Sequence, residues 1–186
     1  MSDLLYSEIE SDLRSGVREL MAARCRWPDV LAWSEGGGDL ASGLWSALAA
    51  QDLAGLPVPE ELGGSGVGWR ETAVVLEELG RAVAPVPFFG SAVLATAALL
   101  AAGDKELLPE LADGSRLASL AVPLSTLAFV PAVRAEGGRL TGAITSVADA
   151  LTADVLLVPI DGGLYVVEAE DTRRTAVTTL DLTRPL

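Results

Sequence analysis

The sequence has no histidine and a single cysteine, Cys25, among its 186 residues. The absence of histidine excludes the common zinc sites and both Ser-His and Cys-His catalysis, and a lone cysteine cannot form an internal disulfide. Only Arg24 and Arg26 are basic next to Cys25, so we interpret this cysteine as a small helix residue rather than a reactive thiol. We therefore predict no metal site.

Basic residues and long apolar runs are also scarce. The 13 lysines and arginines are outnumbered by 26 aspartates and glutamates, and the net charge of −13 repels nucleic acid and anionic membrane surfaces. The longest apolar run, Ser91–Ala102, has about twelve residues, whereas a membrane span needs roughly twenty. The first residues, MSDLLYSEIESDLR, are acidic and amphipathic, unlike a secretory signal. We predict a cytoplasmic protein that binds neither nucleic acid nor membranes.

The stretch Gly55–Pro85 organises the chain. Its first half contains prolines and closely spaced glycines, which favour a loop with tight or positive-φ backbone. From Trp69 onward, apolar residues recur at three- and four-residue steps, which predicts a helix that ends at Pro85. Glu71 lies in its first turn, where a carboxylate favours the helix dipole. The predicted buried face consists of Ala73, Leu76, Leu79 with Gly80, and Val83.

Two helices are predicted before this stretch. The first covers Asp3–Arg26 and is closed by Trp27-Pro28. A glycine-rich linker then leads to Asp39, the predicted N-cap of a helix that runs to about Ala50. The apolar stripe of the first helix consists of Leu4, Ile9, Leu13, Val17, Leu20 and Met21.

Two more helices are predicted after it. The buried run Ser91–Ala102 predicts a fourth helix that ends at Gly103 in the C-cap position. Asp104 then caps a short helix over Lys105–Leu111. The helical half is predicted to end near Ser115.

Beyond Ser115 the pattern changes to short runs of Val, Leu, Thr and Ala, separated by turns such as Glu136-Gly137-Gly138. This spacing predicts a small antiparallel β-barrel or sandwich. The fold class is therefore α+β, with a helical domain over 1–115 and a β-domain over 116–186. The predicted strands are Arg116–Val122, Ala128–Ala135, Arg139–Ile144, Val155–Ile160, Leu164–Glu168 and Ala176–Leu180.

One family shares these motifs in this order. Two motifs resemble the amino-terminal part of the acyl-CoA dehydrogenase superfamily. They are G-L-x-V-P-E-E-L-G-G-S-G-V-G and, after a short gap, V-L-E-E-L-G-R-A-V-A-P-V-P. The resemblance covers most of the chain, most strongly Leu53–Ala121. It implies a helical domain followed by a β-domain that covers a flavin, and the oxidation of the Cα–Cβ bond of an acyl thioester with FAD.

The resemblance also implies positions for the flavin contacts. The family's L-T-E-P-x-x-G-S-D strand falls on Leu120-Ala121-Val122-Pro123, and only the leucine and proline match. Its G-x-K-x-W-I-T/S strand falls on Gly142–Ala148, without the aromatic residue and the terminal hydroxyl. Main-chain N–H groups could still hold the cofactor. The resemblance thus predicts FAD binding through Leu120, Ala121, Thr145, Ser146, Val147 and Ala148.

An acyl pocket is expected at the turn before the fourth helix. The resemblance places its lining at Val86, Phe88, Phe89, Gly90 and Leu94, although the same residues could instead be core. Arg173 and Arg174 are candidates for contacting a CoA phosphate, and the alternative is that both are solvated.

The family's catalytic base is a glutamate of a carboxy-terminal helical domain, and we expect this chain to stop before that domain. No catalytic residue is therefore predicted here, and the chain alone is expected to be inactive. Glu77 and Glu78 point about 100° apart on a helix, so we interpret them as a solvated face with an ion pair from Glu77 to Arg81.

Three functions remain open from the sequence. The first is part of an acyl-CoA dehydrogenase-like flavoprotein, which would act on acyl-CoA or a related acyl thioester. The second is a flavin-deficient, non-catalytic partner subunit in a hetero-oligomeric acyl-CoA dehydrogenase, because the flavin motifs are degraded. The third is an acyl-binding or scaffold module. A homo- or hetero-oligomer with a dehydrogenase-fold subunit is expected.

Overall fold

The computed structural model describes residues 5–124, 133–184 and 186. The helices are α1 (Glu8–Arg24), α2 (Trp27–Ser34), α3 (Leu40–Ala49), α4 (Trp69–Arg81), α5 (Thr96–Ala102) and α6 (Leu108–Ala112). Two irregular helices accompany them, a 3₁₀ turn at Glu60–Leu62 and a π-helix at Phe88–Ala95 that runs directly into α5. The strands are β1 (Ala118–Leu120), β2 (Val133–Glu136), β3 (Arg139–Gly142), β4 (Val155–Ile160) and β5 (Gly163–Glu168).

The strands form two small sheets among the described residues. β4 lies at the centre of one sheet, parallel to β1 and antiparallel to β5, with Val155 opposite both Ala118 and Glu168. β2 and β3 form a separate antiparallel hairpin whose turn begins after Glu136. The predicted α+β class is confirmed, although the β1–β4 pair is parallel and the described strands form no closed barrel.

Three hydrophobic clusters hold these elements together. The first lies within the helices, around residues such as Leu44, Leu48 and Leu79, and the third lies between the β-sheets. The second joins the two halves, because Leu99, Leu108 and Leu111 of the helices pack with Val155 and Leu157 of β4. Because one continuous apolar cluster crosses from the helices to the sheet, β1 and β4 are packed directly on the helical half.

Several predicted helix boundaries differ from the observed ones. α1 begins at Glu8 because Ser7 and Glu10 form a reciprocal capping box, and Leu4 lies outside the described residues. The prediction that Trp27-Pro28 only closes α1 is wrong, because Pro28 sits in the first turn of α2, where its missing N–H costs nothing. Asp39 precedes α3 but makes no side-chain cap.

The predicted buried faces of α1 and α4 are partly wrong. Ile9 is 70% exposed, while Val17 and Met21 are buried as expected. Ala73 in α4 and Val83, just beyond its end, are exposed, and the buried face of α4 is rotated toward Thr72, Val75 and Glu78. The apolar spacing missed this rotation because α1 covers a face of α4 that carries a charged residue.

The helix predicted at Ser91–Ala102 is longer than expected and irregular. It begins at Phe88 as a π-helix and continues as α5 to Ala102, where Gly103 adopts a φ of 71° as predicted. Asp104 Oδ1 accepts hydrogen bonds from the N–H groups of Glu106 and Leu107, which forms a turn. The predicted helix start at Lys105 is wrong, because α6 begins at Leu108 and its N-cap residue is Leu107.

The predicted strands are mostly shorter in the structure. Arg116–Val122 is reduced to β1, and the run Ala176–Leu180 forms no strand. Residues 128–132 of another predicted strand lie outside the described part of the chain, and β2 begins at Val133. β4 matches its prediction, and β5 begins one residue earlier than predicted.

Charged side chains tie α1 to α4. Glu78 is 2% exposed and accepts hydrogen bonds from Arg14 and Arg18 of α1, with Arg81 3.5 Å away. Glu77 pairs with Arg14 and accepts a bond from the Tyr6 hydroxyl at 2.6 Å. The predicted Glu77–Arg81 pair is therefore wrong. The predicted solvated face holds for Glu77, which is 39% exposed, but not for Glu78, which α1 covers.

A second ion pair links the same two helices. Glu10 of α1 is 2% exposed, and its carboxylate accepts hydrogen bonds from the Arg70 guanidinium of α4 at 2.6 and 3.0 Å. Arg70 lowers the pKa of Glu10 to about 2, with help from the Ser7 N–H, and Arg18 and Arg14 lower the pKa of Glu78 likewise to about 2. Both carboxylates therefore carry their charge in the folded protein at neutral pH.

Candidate functional site

The helical half and the β half meet at the turn between α4 and the π-helix. Gly90 donates its N–H to Asp149 Oδ2 at 2.9 Å, and the Arg184 guanidinium donates to the carbonyl oxygen of Val86 at 3.0 Å. The buried Ser91 hydroxyl accepts from the N–H of Ala118 in β1 at 3.2 Å. Three polar contacts therefore fix this turn against the β half.

Local chemistry explains the shape of the turn. α4 ends in a Schellman-type arrangement, in which Ala84 donates its N–H to the carbonyl of Leu79 and Val83 has a φ of 51°. The π-helix passes into α5 at Thr96, whose hydroxyl donates to the carbonyl of Ser91, five residues earlier. Short π-helical segments are a common feature of functional sites.

Gly90 is required by its contact with Asp149. A Cβ atom built on Gly90 would lie 2.5 Å from Asp149 Oδ2 and 2.8 Å from Asp149 Cβ. Asp149 itself has a φ of 57°, a conformation that aspartate tolerates better than most residues. The missing side chain at Gly90 therefore allows the carboxylate to reach the main chain of the turn.

A cavity of about 320 Å³ opens at this junction. Its wall includes Leu76 from α4, Phe89 from the turn, and Leu124, Ala148, Asp149 and Arg184 from the β half. The volume is at the lower end of the range for small-molecule pockets, and apolar side chains form most of the named wall. Burial raises the pKa of Asp149, while the Gly90 N–H and the Arg184 guanidinium oppose this effect.

A second cavity, of about 590 Å³, lies within the β half. Apolar residues of both sheets, including Leu140, Leu156, Val158 and Val167, line it together with Arg173. Arg174 also lines this cavity, and its guanidinium donates to the carbonyls of Ala150, Leu151 and Ala153. Those bonds give Arg174 a role in holding the 150–153 turn, whereas Arg173 is exposed.

The residues predicted to bind flavin are divided between these places. Ala121, Thr145, Ser146 and Val147 line the larger cavity, while Ala148 lines the junction cavity. Leu120 lines neither and packs against the cluster that joins the two halves. The structure does not bring all these residues to one surface, and their assignment to flavin stays a prediction.

The residues predicted to bind the acyl group are likewise divided. Phe89, which is 38% exposed, lines the junction cavity, and the Gly90 N–H donates a hydrogen bond to Asp149 in the wall of this cavity. Val86 and Phe88 are each 1% exposed and belong to the core of the helical half, and the half-buried Leu94 lines neither cavity. Of this set, Phe89 is the side chain that reaches the cavity.

Sequence reasoning missed Asp149 and Arg184. Both lie in segments with no motif of their own, and they are distant in sequence from the turn that they contact. The one signal was Gly90, since a glycine inside an apolar helix indicates a close approach by another group. That signal did not say which group approaches.

The side chains present fit a flavin poorly. The buried positions that face the two cavities at the predicted flavin site include Ala121 and Ala148, which offer no side-chain hydrogen bond. The main-chain N–H groups of Ala121 and Leu124 already donate to Leu157 and Ser146 within the fold.

The described residues contain no cluster of metal-ligating groups. Across that same part of the chain, every helix is too short or too polar to cross a membrane.

A helical half joined to small β-sheets, with an apolar cavity at the junction, is an α+β architecture. Comparison with known proteins identifies its family. The sequence model of the acyl-CoA dehydrogenase N-terminal domain matches residues 7–115, which is more than half of the chain. The chain belongs to the acyl-CoA dehydrogenase family.

Curated relatives cover both halves of the chain. Acyl-CoA dehydrogenase FadE28 of Mycobacterium tuberculosis is 38% identical over 128 residues, which are 66% of this chain and 38% of that protein. Acyl-CoA dehydrogenase IpdE2 of Mycolicibacterium smegmatis is 46% identical over 78 residues, 41% of this chain and 25% of that protein. The chain therefore matches less than half the length of these relatives.

Solved structures show the same arrangement. A chain of the ChsE4-ChsE5 complex from Mycobacterium tuberculosis has a TM-score of 0.78 and 29% identity, and the match covers 96% of this chain and 52% of that one. A chain of a variant of the Tcur3481-Tcur3483 steroid ACAD has a TM-score of 0.74 and 32% identity, covering 88% of this chain and 48% of that one. Each of these two structures is named for two proteins.

Proposed function

We propose that this chain is part of an acyl-CoA dehydrogenase-like flavoprotein that oxidises the Cα–Cβ bond of an acyl thioester, and that it serves there as a non-catalytic partner subunit. In this proposal it forms one wall of the acyl site, and FAD is held mainly by a dehydrogenase-fold subunit. The proposed units are the helical domain over 1–115 and the β-domain over 116–186.

The observation that carries the proposal is the make-up of the junction. Phe89, Leu76 and Leu124 give it an apolar wall, as the acyl part of a thioester requires. Two of the positions predicted to contact flavin are the buried Ala121 and Ala148, which offer it no side-chain hydrogen bond. Since two neighbours with about 30% identity come from structures with two named subunits, a heteromeric assembly is the natural setting.

The test is co-expression with a neighbouring dehydrogenase gene, with a tag on this chain only. We expect recovery of a complex with flavin absorbance of about one FAD per pair of chains, one bound by each partner subunit, and acyl-CoA-dependent reduction of an electron-accepting dye by the complex. This chain purified alone should bind no FAD after reconstitution with excess cofactor. Recovery of homo-oligomers alone would refute the partner role.

A matched pair of variants tests the acyl site. Phe89→Asp places a charge in the junction cavity and should weaken acyl-CoA binding by the complex at least about tenfold, because a carboxylate is costly in an apolar wall. Tyr165→Asp is the control, since Tyr165 is 43% exposed on β5 and lines neither cavity. Equal acyl-CoA binding by both variants would show that Phe89 is not part of the acyl site.

A second candidate is that the chain itself holds FAD. It is favoured by the hydroxyl groups of Thr145 and Ser146 and by the exposed Arg173, all of which line the larger cavity. The reconstitution experiment separates the two candidates. One FAD bound per copy of the isolated chain would support this candidate and refute the partner role.

A further inference from the structure

Asp149 has one carboxylate oxygen committed to the fold and one that is not. Oδ2 accepts the Gly90 N–H at 2.9 Å. Within residues 5–124, 133–184 and 186, no donor is bonded to Oδ1. Because Asp149 lines the junction cavity, its second oxygen is available to a ligand there.

The rest of the wall limits which ligand group suits this oxygen. Leu76, Phe89 and Leu124 are apolar, so the body of the ligand is apolar as well. Arg184 lines the same cavity, and its guanidinium donates to the carbonyl oxygen of Val86 at 3.0 Å. The polar part of the cavity wall therefore carries an acceptor, Asp149, and a donor, Arg184.

A hydroxyl group matches this pair better than the alternatives. It can donate to a carboxylate and accept from a guanidinium at the same time. An ammonium group can donate to Asp149 but has no lone pair to accept from Arg184, and a ketone or an ester can accept from Arg184 but has no proton to donate to Asp149. A plain hydrocarbon would shield Asp149 Oδ1 from water without giving it a hydrogen bond, which is unfavourable.

We propose that the acyl group accepted at the junction carries a hydroxyl group, which donates to Asp149 Oδ1 and accepts from the Arg184 guanidinium. Asp149 then has two roles. It holds the turn at Gly90, and it selects hydroxylated acyl groups over plain ones. This inference rests on the proposed acyl site and adds the class of acyl group.

The experiment measures binding of hexanoyl-CoA and of three derivatives with one hydroxyl, on the fourth, fifth or sixth carbon, by calorimetry on the full chain and on its complex. These carbons lie beyond the Cα–Cβ bond. A hydrogen bond to a charged group is worth about 1.5–3 kcal/mol, so at least one derivative should bind roughly tenfold or more tighter than hexanoyl-CoA. A preference below about twofold for every derivative overturns the inference.

Two variants check the residues. Asp149→Asn keeps the size of the side chain and should reduce the preference to about twofold or less, and Arg184→Gln should reduce it as well. Asp161→Asn is the control, because Asp161 is an exposed residue of the β4–β5 turn with a φ of 48°, which asparagine also tolerates. An unchanged preference in Asp149→Asn refutes the inference, and if that variant fails to fold by circular dichroism, Arg184→Gln decides in the same way.

The outcomes distinguish this inference from the proposed function. Tight binding of hexanoyl-CoA with no gain in affinity from any hydroxyl group would support the proposed acyl site and refute the preference for hydroxylated acyl groups. Failure of all four thioesters to bind either the chain or its complex refutes both.

Discussion

The carboxylate of Asp149 accepts a hydrogen bond from the main-chain N–H of Gly90 at 2.9 Å, and the two residues are 59 positions apart in the sequence. This bond crosses from the β half to the helical half beside the junction cavity. It exists because Gly90 has no Cβ to displace the carboxylate.

Gly90→Ala should lower the free energy of unfolding by about 1–3 kcal/mol, the usual cost of overpacking. The new methyl group would lie 2.5 Å from Asp149 Oδ2. Urea denaturation measures the change. Gly80→Ala is the control, because nothing lies within 4 Å of its Cβ position in α4, and it should raise stability by about 0.5–1 kcal/mol.

Ser91→Ala removes the hydroxyl that accepts from the N–H of Ala118 in β1. The N–H group then stays buried without that partner, so we expect a loss of about 1–3 kcal/mol in the same assay. Ser46→Ala, at an exposed position of α3, should change stability by no more than about 0.5 kcal/mol. Equal effects would show that the Ser91 bond does not join the two halves.

Glu78→Gln keeps the shape of the side chain and removes its charge. Its carboxylate bonds Arg14 and Arg18, which are partly exposed, so the expected loss is about 1–3 kcal/mol rather than the larger cost of a fully buried pair. Glu77→Gln is the neighbouring control, since Glu77 is 39% exposed, and it should cost less than about 1 kcal/mol.

Acid should destabilise the protein through the same contacts. The pKa values of Glu10 and Glu78 are about 2 in the folded protein, below the ordinary value of 4.5. A lowered folded-state pKa means that the stabilisation is present above pH 4.5 and is lost as the pH falls toward 2. Unfolding midpoints measured across this range should decline, and Glu78→Gln should flatten the decline more than Glu77→Gln.

Val83→Gly should relieve strain at the end of α4. A β-branched residue with a φ of 51° is unfavourable by roughly 1–2 kcal/mol. Glycine removes this strain, but the conformational entropy that it loses on folding offsets about 0.5–1 kcal/mol of the gain. The net expectation is a gain of up to about 1 kcal/mol in the free energy of unfolding. Val83→Ala does not relieve the φ and should show no gain; a gain of the same size there would contradict the explanation.

Much of the secondary structure was predictable from local signals. Gly103 marks a helix end through its own main-chain preference, and that prediction is confirmed. Asp104 bonds the N–H groups of Glu106 and Leu107, but the helix predicted from Lys105 begins only at Leu108. The alternating and apolar runs likewise located β4 and β5 to within a residue. Pro28 was predicted to close α1, and this was wrong. A proline can follow the end of one helix or lie in the first turn of another, and the residues after it decide which.

The sequence by itself determined the family, the helical-then-β order and the absence of histidine chemistry, because each depends on composition or on contiguous motifs. Only the tertiary structure decided that Glu78 is buried under α1 and that Asp149 and Arg184 meet the Gly90 turn. Those contacts join residues about sixty or more positions apart, and their energies depend on which faces pack together. No local pattern of residues encodes that packing, since burial and pairing belong to the folded chain as a whole.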